Sequence, residues 1–290
     1  MKEDFPSQSS FMNSIESHRI PVSTVLLTKN VMKTLPAYLA SMQEIDDIIV
    51  LDGGSTDGTA EFLSQQPNCR VFPQPKEYLD EQGYIIDFSG VRNAGYALAR
   101  HRWILCVDAD ESISPALLND VREIAVHGKP GVYYVKRIFT LGGKPIVSLN
   151  VTDHIRLFHL SCVRGCVKPV HERLDVIAGS VVGRIDDVVY VPLHPVAFSR
   201  PRSDRYLAIE VRVLGTIRFG RWFRWILLRN IRSIVRRCLV IVLVRLIPKR
   251  GPRMPLAIEY EQMRYLWLLM WKTRPWQRSD QRSAISDQHD

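Results

Sequence analysis

The chain has 290 residues, 46% apolar and 24% charged, which excludes a largely disordered or fibrous polypeptide and suits one large domain or a domain with a substantial appendage. Its net charge of +9 is uneven: residues 200–290 hold 20 Lys/Arg against 7 Asp/Glu, whereas residues 1–199 hold 19 against 23. A mildly acidic body thus carries a basic attachment.

Residues 1–18 are polar and aperiodic and read as a flexible tail without a charged-then-apolar leader. From Ile20, IPVSTVLLT predicts a buried strand, MKTLPAYLASM a helix with Pro36 in its first turn, and DDIIVLD a second strand ending at Asp52. The loop GGSTDGT leads to a helix through AEFLSQQ, and CRVFPQ is a short third strand. FSGVRNAGYALAR places Val91, Ala94 and Leu98 at helical spacing, and RWILCVD is a fourth strand. SPALLNDVREIA then opens with Ser114 as N-cap and Pro115 at the first helical position.

Strands alternating with helices of this length predict an α/β domain, a mostly parallel sheet with helices on both faces. Continuous apolar strands agree with a sheet buried on both sides. From 131 to 199 the pieces are shorter and strand-like: GVYYVKRIFT with the turn LGGKP, then HIRLFHL and DDVVYVPLHPVAF. From Arg202 the pattern is helical to about residue 272, broken at IPKRGPRMP. The five cysteines (Cys69, Cys106, Cys162, Cys166, Cys238) lack the pairing of a zinc or disulfide framework, so a reducing, cytoplasmic setting is expected.

Ligands of open α/β sheets bind beyond the carboxyl ends of the strands. There stand Thr28, Lys29 and Asn30 after the first strand, Asp52 after the second, and Asp108 with Asp110 after the fourth. In an extended segment residues i and i+2 face one side, so Asp108 and Asp110 can converge on one cation. Hard oxygen ligands suit Mn2+ or Mg2+, whose shells are completed by substrate phosphates. The alternative is a strand surfacing into a turn and a helix cap. In DGGSTDGT, Gly53 and Gly54 permit close ligand approach, while Ser55, Thr56 and Asp57 serve an ordinary β–α turn equally well. The loop is neither a Walker loop nor a G-x-G-x-x-G turn.

VLDGGSTDGT, followed by RNAGYALA and LCVDADE, resembles the family 2 glycosyltransferases of the GT-A, Rossmann-like fold. DHIRLF, VKPVHERL and VPLHPVAF are similar to the branch containing lipopolysaccharide-core β-glucosyltransferases, and the resemblance runs roughly from Ile20 to Ser199. It departs at Gly53, where many members carry a second Asp. The resemblance implies a nucleotide-diphospho-sugar donor, with a UDP-hexose favoured, and a divalent cation. It implies that Thr28, Asn30, Asp52 and Asp57 hold the nucleotide, with Asp52 against the base. Asp108 would lie near the ribose, and Asp110 would ligate the metal together with Asp108.

Direct displacement needs a base for the acceptor proton. Glu172 is the first choice and His171 the second, because the family places its acidic base after the donor half; the alternative makes both ordinary loop residues. Arg156 pairs either with a diphosphate or with a carboxylate such as Glu172. Arg92 and Asn93 open a helix whose N-terminus can face phosphates, or serve only its packing. His194 is expected to be structural.

In RWFRWILLRNIRSIVRRCLVIVLVRLIP the uninterrupted apolar run, Cys238–Val244, is 7 residues, far short of the ~20 of a membrane span. Arg221, Arg224, Arg229, Arg232 and Arg236 cluster on one helical side, opposite Trp222, Trp225, Leu228 and Val235, with Arg237 out of place. That pattern suits a helix lying in an anionic membrane interface, with Tyr265–Trp276 as a second anchor. The alternative is packing on the body or in a homo-oligomer. No nucleic-acid module is recognised, so nucleic acid is not expected as a partner.

The divisions expected are a tail at 1–18, a GT-A domain at 19–200 (donor half 19–128, acceptor half 129–200), a basic amphipathic helical region at 201–275 and a tail at 276–290. The activity expected is an inverting hexosyltransferase, peripheral on the cytoplasmic face of a bacterial inner membrane. Its acceptor would be a lipid-linked saccharide or a lipopolysaccharide core. The alternatives are a sugar nucleotidyltransferase of similar fold and a non-catalytic membrane-associated adaptor.

Overall fold

The computed structural model describes residues 19–148, 152–248 and 251–276; the expected tails lie outside these residues except for Trp276. The chain divides into two compact units, one of residues 1–138 with 151–191 and one of 139–150 with 192–290. Residues 139–150, within the expected acceptor half, thus group with the C-terminal helices.

The first unit is built on β1 (Ile20–Thr28), β2 (Ile45–Asp52), β3 (Cys69–Pro73) and β4 (Trp103–Leu105), which lie parallel in the order β3-β2-β1-β4. The sheet then continues through β8 (Thr152–His159), β6 (Gly131–Leu141), β11 (Val181–Pro192) and β5 (Ser112–Ile113), with β8 antiparallel to both β4 and β6 and the short β7 (Lys144–Pro145) folding back on β6. The expected α/β fold is therefore a mixed, GT-A-like one. Its parallel part stops at β4 because the hairpin-type strands after residue 131 join the same sheet in the opposite sense.

Successive strand residues point to opposite faces. Val25 and Leu26, and Ile48 through Leu51, are all essentially solvent-free, so both faces of the parallel part are covered. Helix α3 (Phe88–Ala97) lies on the face of Val25 and Leu51: a Cβ at Gly95 would meet Val25 Cγ1 at 2.4 Å and Leu51 Cδ1 at 3.2 Å. Glycine is the residue that allows this approach. Inside β2 the carboxylate of Asp47 is fully buried and accepts from Ser23 Oγ at 2.6 Å and Arg70 Nε at 2.8 Å. Helices α1 (Leu35–Met42), α2 (Thr59–Ser64) and α4 (Pro115–His127) complete the unit, α4 capped by Ser114 as its sequence predicts.

In the second unit, α5 (Val196–Leu214) begins where LHPVAF was expected to continue a strand. β11 ends at Pro192, and Pro195, lacking an N–H, cannot extend a ladder and instead precedes the helix. Gly215 at φ +57 ends α5, a break the helical reading from Arg202 did not include. A short α6 (Phe219–Trp222) runs through a π-helical turn, Phe223–Leu227, into α7 (Leu228–Leu246), and α8 (Leu256–Lys272) follows. The core here is Leu207, Ile217, Trp222, Ile226, Leu269 and Met270. Trp222 Nε1 donates to Thr273 Oγ1 at 3.2 Å, so the indole is buried with its polar atom satisfied.

Candidate active site

Thr28 and Asp52 end β1 and β2 in direct register. Asp52 is the hub between them. Its Oδ1 accepts from Thr28 Oγ1 at 2.8 Å and Ser55 Oγ at 2.6 Å, and its Oδ2 from Gly54 N at 2.9 Å and Ser55 N at 2.8 Å. A carboxylate has about four acceptor sites, and these are engaged. In this structure Asp52 therefore shapes the GGSTDGT loop instead of presenting a free edge to a base. Asn30 and Asp57 latch the same two loops. Asn30, at φ +54, accepts from Thr56 N at 2.7 Å, and Asp57 accepts from Met32 N at 3.1 Å and Thr59 Oγ1 at 2.6 Å. Gln74, which sequence reasoning missed, lies behind them. Its Nε2 donates to Thr28 O at 3.2 Å and Leu51 O at 3.0 Å, while its buried Oε1 has no hydrogen-bond partner. A Cβ at Gly53 would sit 2.9 Å from that oxygen.

The second cluster lies past β4. The strand ends at Leu105, so the two-residue alternation expected of RWILCVD does not reach the acidic pair. Asp108 and Asp110 occupy a turn closed by Glu111 N donating to Asp108 O at 2.9 Å. Arg92 is not at an open helix N-terminus: Asp87 caps α3 by accepting from Gly90 N at 3.0 Å, which removes the anion site expected there. Arg92 is buried mid-helix, donating through Nη2 to Asp108 Oδ1 at 2.7 Å and through Nε to Glu172 Oε1 at 2.9 Å. Arg156 pairs with Glu111, at 2.7 Å, and not with Glu172; its Nη1 also donates to Cys106 O at 2.9 Å.

Glu111 is the second residue that sequence reasoning missed. It is buried, accepts from Arg137 Nη2 at 3.0 Å as well as from Arg156, and takes Asp108 N on its other oxygen at 3.1 Å. Burial raises its pKa, with Asp108 adding to the effect. Enclosure also works against the charge of Asp108, but Arg92 and Arg156 outweigh it and hold that carboxyl well below the usual range.

His171 and Glu172 sit on the hairpin loop between β9 (Val163–Val167) and β10 (Arg173–Val176), two antiparallel strands not foreseen in the sequence. Lys168 at φ +79 and His171 at φ +53 make the turn. The hairpin is fixed to α3 by Asn93, whose Oδ1 accepts from Cys166 N at 2.7 Å and whose Nδ2 donates to Cys166 O at 2.9 Å. The approach is close enough that a Cβ at Gly165 would lie 2.9 Å from Asn93 Oδ1.

Arg92, Asp108, Arg156, His171 and Glu172 line one cavity of about 540 Å3, together with Tyr134, Arg137, Asp153, His154 and Arg173. Thr28, Asn30, Asp52, Asp57 and Asp110 do not line it. Four arginines face three carboxylates there, and His154 reports the positive field: burial first, then Arg137 and Arg156, push its pKa down to about 4. The cavity's thiols are protonated, since burial raises Cys106 and pushes Cys166 up to about 12, so neither is set up as a nucleophile. Among the described residues no three His, Cys, Asp or Glu are grouped to hold a metal. Two carboxylates on one turn fit Mn2+ or Mg2+ only as part of a shell that phosphates and water complete.

Residues 23–150 match the family model described as Glycosyl transferase family 2. A TPR repeat-containing protein of Synechococcus elongatus is 33% identical over 53% of this chain and 35% of its own length. An uncharacterised glycosyltransferase of Rickettsia felis is 31% identical over 36% of this chain and 33% of its own. The chain thus spans about a third of the length of these curated relatives. Among solved structures, S. aureus TarS 1–349 in complex with UDP is 17% identical with a TM-score of 0.43, covering 68% of this chain and 66% of that one. The same protein in complex with UDP-GlcNAc gives 16% and 0.44, covering 68% and 67%. Below 0.5 these likenesses add nothing to the family match. With its acidic motifs past the ends of parallel strands, the chain is similar over residues 23–150 to the family described as Glycosyl transferase family 2.

Proposed function

We propose that the chain is an inverting glycosyltransferase that moves a hexose from a nucleotide-diphospho-sugar, a UDP-hexose for preference, onto a saccharide hydroxyl. The observation that carries this reading is Arg92 joining Asp108, at the end of the donor half, to Glu172, in the hairpin loop of the acceptor half, inside one cavity. Glu172 is the base of choice. Its Oε1 is fixed by Arg92, and its Oε2 has no partner among the described residues, so it is available to take the acceptor proton. The acceptor oxygen then attacks the anomeric carbon as the bond to the diphosphate breaks, and the nucleoside diphosphate leaves with the electron pair. His171, at a left-handed backbone position on the same loop, is the second candidate.

Thr28, Asn30, Asp52 and Asp57 frame the nucleotide side as two latched loops. Asp110, with the second oxygen of Asp108, would hold a divalent cation, which supplies charge neutralisation on the leaving diphosphate when bound. Arg156 acts through Glu111, as a buried support of the Asp108 turn. The acceptor is proposed to be lipid-linked, as in lipopolysaccharide-core synthesis, with the enzyme peripheral on the cytoplasmic face of a bacterial inner membrane. Enzyme and acceptor would then meet in two dimensions.

The test is nucleoside diphosphate release by the purified chain from a panel of UDP-, GDP- and dTDP-sugars, with Mn2+, Mg2+ or EDTA. Metal-dependent release from one donor is expected, with its stimulation by acceptor lost in Glu172→Gln. Calorimetry showing no binding of any donor would overturn the reading in favour of a non-catalytic adaptor.

A further inference from the structure

Helix α7 turns its aliphatic side outward. Its buried residues are Asn230 and Val244, while Ile231, Val235, Leu239, Val242 and Leu246, spaced as one helical face, are 43–73% exposed. Helix α8 does the same with Leu256, Tyr260, Trp267 and Trp271, each more than half exposed. The two stripes adjoin where Cys238 Sγ of α7 lies 3.8 Å from Met263 Sδ of α8. Trp267 and Trp271 stack with ring centroids 5.7 Å apart, and the Arg274 guanidinium lies 3.6 Å over the Trp271 ring. A joined apolar face of this kind on a folded unit marks an interaction surface.

Its border identifies the occupant. Arg229, Arg232 and Arg236 flank the α7 stripe, all exposed and none ion-paired with a described residue. The inward Arg237, in contrast, is paired with Glu259 at 2.9 Å. Two copies of the chain meeting through this face would bring uncompensated arginines together, whereas anionic headgroups neutralise them. No helix among the described residues is long and apolar enough to cross a membrane, which leaves a helix pair lying flat.

We propose that the joined outward face of α7 and α8 docks on an anionic lipid surface, with its aliphatic and tryptophan side chains at the headgroup–acyl boundary and Arg229, Arg232 and Arg236 on lipid phosphates. This rests on the peripheral placement proposed above and names the surface responsible.

The full chain is sedimented with phosphatidylcholine vesicles, with and without phosphatidylglycerol, and donor hydrolysis is measured in parallel. Binding to the anionic vesicles is expected. The combined Arg229→Gln, Arg232→Gln, Arg236→Gln variant is expected to weaken it roughly a hundredfold, about fivefold per arginine. Leu239→Asp with Val242→Asp is expected to abolish it, and neither variant should alter donor hydrolysis in solution. If the aspartates disturb the helix by circular dichroism, the arginine variant decides. Absence of binding, or equal binding by the arginine variant, overturns the proposal. So does a concentration-dependent dimer, seen by sedimentation velocity and lost in the variants, that forms without vesicle binding. Failure of donor hydrolysis with intact vesicle binding bears on the catalytic reading alone.

Discussion

Asp108 and Glu172 are held by two nitrogens of one guanidinium, at 2.7 and 2.9 Å, although 64 positions separate them in the first unit. Arg92 fixes the distance between the donor-side turn and the proposed base. Lysine keeps the charge but cannot span both carboxylates. Arg92→Lys is expected to lower kcat by about a hundredfold, as for a small misplacement of a catalytic group, with KM for the donor changed only a few-fold. Steady-state kinetics check this. A raised KM with normal kcat would assign Arg92 to binding alone.

Asp110→Ala and Asp108→Ala are each expected to lower metal-dependent turnover by orders of magnitude. Asp108→Ala should in addition loosen Glu172 through Arg92, so its loss should persist in saturating Mn2+. Donor release titrated against Mn2+ distinguishes the two variants. Near-normal turnover in both would remove the cation from the proposed mechanism.

Asp52 organises four donors, and Thr28 among them is buried. Asp52→Ala leaves that hydroxyl unsatisfied, a cost of about 1–3 kcal/mol. For a chain of this size each kcal/mol lowers Tm by about 2–4 °C. A fall in Tm together with weaker donor binding by calorimetry is expected. Weaker binding with an unchanged Tm would restore Asp52 as a direct contact to the base.

His154 provides a pH handle. With its folded pKa at about 4, below the ordinary value for histidine, the unfolded chain binds the extra proton between those two values. The stability that His154 confers is therefore complete near neutrality and is lost as the pH falls through that window. Because the ring is partly exposed, the slope is expected to be shallow. Imidazole NMR should place the midpoint near 4 and show it rising when a nucleoside diphosphate enters the cavity and offsets Arg137 and Arg156. An unchanged midpoint at saturating ligand would put the diphosphate elsewhere.

What the sequence disclosed was local. β1 matches its expected bounds, Ile20 to Thr28, because one continuous apolar run ends in polar residues. Ser114 and Pro115 gave the start of α4 by cap chemistry. Pairings between distant segments left no such trace. Glu111 is bonded to Arg156 across 45 positions, and no spacing rule selects it over Glu172 as the partner. β9 and β10 were missed because VRGCV and RLDV are short, half-covered and carry charged residues. The acidic pair was expected at the end of the strand RWILCVD, but β4 stops at Leu105 and the pair lies on a turn, where Glu111 accepts from Asp108 N and Arg156 donates to Cys106 O.

Arg92 and Asn93 are neighbours on α3, one gripping the Glu172 side chain and the other the Cys166 backbone. The loop that carries the proposed base is therefore not a separable module. Exchanging residues 163–176 with those of a relative, as a route to a new acceptor preference, would transfer the loop without its anchor. A working chimera would have to carry positions 92 and 93 along with the hairpin.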